Sequence, residues 1–149
     1  MNEKLMRLLK DELALLENAE NILLYSYNKC EEIHDQDTLT QEKIDSFELL
    51  ASRFSRLSDI IIKKIFRLIE RIDLEDKGTV RDAINMAVKK NLIADADSFI
   101  LIREVRNSFA HEYIPEAISQ IFIKVFDLTP VLLDSVKRIR DYCKGKYGV

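Results

Sequence analysis

Apolar residues recur at helical spacing in long, nearly unbroken runs. Leu5, Leu9, Leu16, Ala19 and Leu23 form the stripe that one helix face makes, which predicts a first helix from about Glu3 to about Cys30. A polar stretch, EEIHDQDT, follows. Thr38 with Gln41 three residues on has the form of a helix start. A second helix is expected from about Thr40 to about Asp73, with Phe47, Leu50, Phe54, Leu57, Ile61, Ile65, Leu68 and Ile72 as its stripe. A helix that long needs a partner along its whole length to bury such a stripe.

Asp76-Lys77-Gly78 reads as a turn, and Thr79 can cap a third, shorter helix from about Val80 to Asn91. Asp95 or Asp97 is expected to cap a fourth, from about Ser98 to about His111. Pro115 suits the first turn of a fifth. Pro130 is expected to kink or restart that helix before it runs to about Cys143. The pattern predicts an all-α, up-and-down bundle of about five helices, in one domain spanning residues 1–149.

Composition narrows this further. Three glycines and two prolines are too few for the turns of an all-β fold. Charged residues at 33% beside 47% apolar ones indicate solvated helix faces around a core rather than disorder. The N-terminus, MNEKLMRLLKDE, has no signal-peptide core, and no run has the apolar length of a membrane span. A cytoplasmic protein with reduced thiols at Cys30 and Cys143 is expected.

A net charge of −3 gives no general attraction to nucleic acid, but the cations are unevenly placed. Lys63, Lys64, Arg67 and Arg71 gather late in the second helix, and Lys137, Arg138, Arg140, Lys144 and Lys146 gather at the C-terminus. Such clusters make solvated faces, answer helix dipoles or hold phosphates.

Most familiar chemistry is missing. Glu31 and His34 have the ExxH spacing of a di-metal bundle, but the other histidine, His111, has Ser108 three residues before it. No metal site or cofactor is expected. Glycine-rich phosphate loops, GxSxG elbows and Cys/His nucleophile pairs are also missing from the sequence.

The stretch REVRNSFAHEY, residues 103–113, breaks the ordinary pattern. With roughly 100° per residue, Phe99, Ile102, Val105, Phe109 and Ala110 share an arc that should face the core. Arg106 falls inside that arc. A charge there must pair with an acid on a neighbouring helix, reach water, or meet a ligand. Arg103, Asn107 and His111 lie on another stripe, so Asn107 can orient the His111 ring from one turn away.

Arg106-Asn107, then His111, then Tyr113 reads R-N-x-x-x-H-x-Y. This resembles the signature of the HEPN superfamily, and the trailing tyrosine makes it most similar to the HepT branch, toxins of bacterial toxin–antitoxin pairs. The motif covers eight residues, but chain length, the helical pattern, the long second helix and the motif's late position agree with it. The resemblance implies a HEPN-like bundle that dimerises and brings two motifs together in one cleft. It implies metal-independent RNA cleavage, as in a type VII-like system, with Arg106 and His111 catalytic and Asn107 supporting. It also implies an antitoxin partner, a small nucleotidyltransferase of the MNT type that adenylylates Tyr113. The alternative within the same resemblance is a non-catalytic, substrate-binding or regulatory partner of a nucleotidyltransferase.

The residue types suit that chemistry in their own right. RNA carries its own nucleophile, the 2′-hydroxyl, so cleavage needs a proton acceptor, a proton donor and charge stabilisation at phosphate. His111 can exchange protons near neutral pH. Arg106 offers a planar donor fork to a phosphate. One histidine fills one of the two proton-transfer roles, and a two-fold dimer would supply the other. Arg53, Arg56 and Asp59 on the second helix, with Arg103, are candidates for a supporting shell.

Overall fold

A computed structural model describes residues 2–32, 40–75, 78–111 and 115–149. All regular structure among them is helical: α1 (Glu3–Glu31), α2 (Gln41–Asp59), a π-helical segment (Ile60–Ile65), α3 (Phe66–Ile72), α4 (Val80–Lys89), α5 (Ala96–His111) and α6 (Pro115–Tyr147). α2, the π segment and α3 follow one another directly, so the second helix is one rod with a wider turn in its middle. Counting that rod once gives five helices among the described residues, as the apolar pattern predicts.

The long helices alternate in direction. Cys30 meets Ser46 while Ser26 meets Arg53, so α1 and α2 run antiparallel. Phe66 lies against Phe99 while Asp59 meets Arg106, which sets α5 antiparallel to the rod. Tyr27 stacks on Phe126 and Glu20 pairs with Arg140, which sets α6 antiparallel to α1.

The expected stripes form the core. Leu5, Leu9, Leu16, Ala19 and Leu23 are buried, as are Leu50, Phe54, Leu57, Ile61, Ile65 and Leu68. Phe47 and Ile72 pack partly buried at its edges. Each fully buried Leu, Ile or Phe contributes about 1.5–3 kcal/mol. Both cysteines are buried and free, and burial pushes the thiols up, to about 11 for Cys30 and about 12 for Cys143.

Capping explains where several helices begin. The rod's cap is Thr40, whose side chain accepts from Lys43 N at 3.3 Å, whereas Thr38 lies outside the described residues. Thr79 and Asp82 form a reciprocal capping box at α4. Gly78 precedes it because a Cβ there would collide with the Asp82 side chain. Asp95, not Asp97, serves α5, accepting from Ser98 N at 2.7 Å. Asp97 sits in the first turn instead.

Two expectations change. The rod is not uniformly α-helical: the π turns at Ile60–Ile65 break its i,i+4 pattern directly after Asp59. Of the two outcomes expected at Pro130, a kink or a restart, the restart does not occur, because Pro130 lies inside one continuous helix. Thr129 and Leu132, on either side, are fully buried, and Thr129 Oγ1 donates to the Val125 carbonyl at 2.7 Å. Packing of these flanking residues holds the helix together where proline withholds an N–H from the Phe126 carbonyl. No helix among the described residues is long and apolar enough to cross a membrane.

Candidate functional site

The site is built where the rod, α1 and the end of α5 converge. Asp59 is the last residue of α2, immediately before the π segment. Arg106 lies ten residues into α5, on the side turned toward the rod. The two meet side-on: Arg106 Nε donates to Asp59 Oδ1 at 2.9 Å, and Nη2 donates to Oδ2 at 2.9 Å. This is the acid on a neighbouring helix that the arginine's place on the apolar arc requires.

The pair is half-buried, with side-chain exposures of 24% for Arg106 and 32% for Asp59. Lys63 approaches Asp59 Oδ1 from the other side at 3.5 Å. Burial pushes the Asp59 carboxyl up, but hydrogen bonds and charge from Arg106, backed by Lys63, pull it further down, below its ordinary value. Arg106 is correspondingly raised, chiefly by the hydrogen bonds to Asp59. The pair is therefore fully ionised at neutral pH.

A guanidinium has five N–H donors. The side-on pair uses one at Nε and one at Nη2, leaving both at Nη1 and the second at Nη2. One of these from each Nη forms the outer edge, the geometry that grips two phosphate oxygens. Arg106 borders a cleft of about 640 Å³. The rod contributes Ser52, Arg53, Arg56 and Asp59 to it, α5 contributes Phe109 and Ala110, and α1 contributes Ala19 and Ile22. Arg53 is held upright by donating to Ser26 Oγ at 2.6 Å and to the Ile22 carbonyl at 3.5 Å. Arg56 makes no ion pair among the described residues.

The expected site residues thus separate into two groups. Arg106, Asp59, Arg53 and Arg56 come together around the cleft. Asp59 is Arg106's direct partner rather than a remote support. Arg103, Asn107 and His111 are exposed on the other stripe of α5 and do not line it. Among the described residues no hydrogen bond joins Asn107 to His111, so the expected orienting contact is absent. Phe109 is half-buried and packs against the edge of the core while also lining the cleft, and Ala110 is exposed in the cleft wall. Tyr113 and His34 lie outside the described residues. Among those described, no three His, Cys, Asp or Glu side chains converge.

The sequence reading also missed a second hollow of about 480 Å³, continuous with the first past Asp59. It takes Arg56, Lys63 and Lys64 from the rod and Leu15 and Ile22 from α1. The lysine cluster was visible in the sequence, but its cavity depends on how α1 crosses the π turn. No family model, curated protein or solved structure matches this chain.

Proposed function

We propose that the chain is a metal-independent endoribonuclease toxin of the HEPN type, working as a symmetric dimer and restrained by an MNT-type nucleotidyltransferase. One observation carries the reading: the arginine of the R-N-x3-H-x-Y stretch lines a cleft with Arg53 and Arg56, braced on Asp59 with its phosphate-gripping edge unpaired among the described residues.

In this mechanism the RNA 2′-oxygen attacks the adjacent phosphorus. His111 takes the 2′-hydroxyl proton as the new O–P bond forms. The bond to the 5′-oxygen breaks, and the partner subunit's His111 supplies that oxygen with a proton. The products are a 2′,3′-cyclic phosphate and a 5′-hydroxyl. Arg106 stabilises the charge that gathers on the non-bridging oxygens. His111 is suited to the shared role because it is exposed at the end of α5, where a second copy can reach it. Adenylylation of Tyr113 would place a phosphate and a purine two residues beyond His111, competing with RNA for the same cation.

The test is RNA cleavage by the purified chain in EDTA, with sedimentation at micromolar concentration. Dimers should cleave, and Arg106→Ala or His111→Ala should each reduce the rate by about 10²–10³ or more while the circular dichroism stays helical. Wild-type rates in His111→Ala would refute the mechanism. RNA binding without cleavage by the wild type would favour a substrate-binding partner of the nucleotidyltransferase instead.

A further inference from the structure

The second hollow differs from the first in its chemistry. Arg56 stands at the junction, and Lys63 and Lys64 line the far side on the π segment. Arg56 and Lys64 are exposed and make no ion pair among the described residues, while Lys63 reaches only Asp59. Two anions, Glu12 and Asp59, share the hollow, but Arg106 already occupies both oxygens of Asp59. A surplus of positive charge therefore remains. Opposite the cations stand Leu15, 52% exposed, and Ile22, 40% exposed.

The C-terminal basic cluster is arranged otherwise. Arg138 is spent on Asp134 at 2.8 Å and on Asn91, Arg140 on Glu20 at 2.7 Å, and Lys146 on Asp73 at 3.2 Å. Those cations join helices, whereas Arg56 and Lys64 over the hollow make no ion pair among the described residues.

A cationic side facing an aliphatic side suits a nucleotide, whose phosphate needs cations and whose base rests on apolar surface. We infer that this hollow is a second nucleotide subsite, holding a phosphate of the same single strand next to the one gripped by Arg106, with its base against Leu15 and Ile22. The assignment of the strand as RNA rests on the function proposed above. A duplex keeps its bases stacked inside and presents none to such a wall. The preferred substrate is therefore single-stranded and longer than one phosphodiester.

The test measures binding by fluorescence anisotropy, using full-length His111→Ala protein so that cleavage does not intervene. The probes are a single-stranded octaribonucleotide, the same octamer in a duplex, and a dinucleotide with one phosphodiester. The octamer should bind at least about tenfold more tightly than the dinucleotide or the duplex. Adding Arg56→Ala and Lys64→Ala should collapse that preference and flatten the salt dependence of octamer binding by about 0.7 in log–log slope, for the one phosphate no longer neutralised. Arg56→Gln with Lys64→Gln, which keeps most of the side-chain bulk, should behave the same way. An undiminished preference in both double variants, or equal binding of duplex and single strand, overturns the subsite. Cleavage by the wild type separates the two claims. Active enzyme with no Arg56/Lys64 effect leaves the nuclease reading standing without the subsite. An inactive protein that still shows the effect keeps the subsite and loses the nuclease.

Discussion

Two aspartates, Asp59 inside the helical rod and Asp73 at its C-terminal cap, both have their pKa drawn below the ordinary value by cations from other helices, yet they serve different ends. Asp73 is buried, 4% exposed at its side chain. Its Oδ2 accepts from Lys90 at 2.6 Å, Tyr142 at 2.6 Å and Lys146 at 3.2 Å, and its Oδ1 accepts from Tyr147 at 2.5 Å. Burial pushes it up, but those bonds outweigh burial and bring it to about 2. Lys90 is shared with Glu75 at 2.7 Å. Every partner is spent on holding α3, the end of α4 and the end of α6 together. Asp59 has one strong partner, and that partner keeps three donors over a cleft. A shifted acidity marks both places equally, and what separates them is the unspent hydrogen-bonding capacity and the open space beside it.

The strongest break in the comparison comes from removing the saturated acid. Asp73→Ala leaves Lys90 to Glu75 and the Tyr142 hydroxyl, and strands the Tyr147 hydroxyl. Breaking a buried pair costs about 3–5 kcal/mol, and the remaining Glu75 contact points to the lower end, about 3 kcal/mol. The loss should appear in urea unfolding at neutral pH, with per-molecule RNA binding retained by the folded fraction. The pH dependence has a definite sign. A carboxyl whose folded pKa is depressed contributes stability that is full above the unfolded value near 4 and is lost as pH falls toward about 2. The wild type should lose stability across that window, and Asp73→Ala should lose less of it. An identical acid limb in both proteins would show that the network is not carried by the ionised form.

Asp59→Asn should have the opposite profile. The pair is about one-third exposed, so its removal should change stability by no more than about 1 kcal/mol. Asparagine is nearly isosteric but cannot accept both guanidinium N–H groups with charge assistance, so Arg106 is no longer held side-on. RNA cleavage should fall about tenfold, mostly in kcat, with Asp59→Glu recovering part of the loss. A large loss of stability with unchanged cleavage would make Asp59 a second Asp73, a brace with no part in the site.

The contrast also shows which parts of the molecule were legible in the sequence. The α1 stripe, the rod's stripe and the Thr79 cap follow from local spacing, so they were readable directly. That Arg106 on an apolar arc demands a partner was equally readable. Which acid answers it was not, because Asp59 lies 47 residues away and is selected by how two helices cross. The π segment leaves no mark in the sequence, since Ile61 and Ile65 fit an ordinary stripe. Ala110 was misplaced for a related reason. Periodicity gives the direction a residue faces, and the neighbouring helices decide whether anything covers it there.

A third acid on the rod sharpens the comparison at its lower end. Glu70 is buried, 5% exposed, with Oε2 near Arg67 at 3.4 Å and Oε1 without a partner among the described residues. Burial raises its pKa more than Arg67 lowers it, and the nearby Glu75 adds to the rise. It is neither saturated like Asp73 nor turned to a cleft like Asp59. Its folded value lies above its unfolded one, so the folded state binds more protons over the interval between them, and stability falls as pH rises through it. Glutamine has the same shape, keeps an acceptor for Arg67 and never ionises. Glu70→Gln should therefore be neutral or stabilising by up to about 1 kcal/mol at pH 7, because an undersatisfied buried charge is removed. The gain should vanish at a pH low enough to protonate Glu70 in both states. Urea midpoints at pH 3 and pH 7 decide it, and destabilisation at pH 7 would mean that the carboxylate is a needed anchor for Arg67 after all.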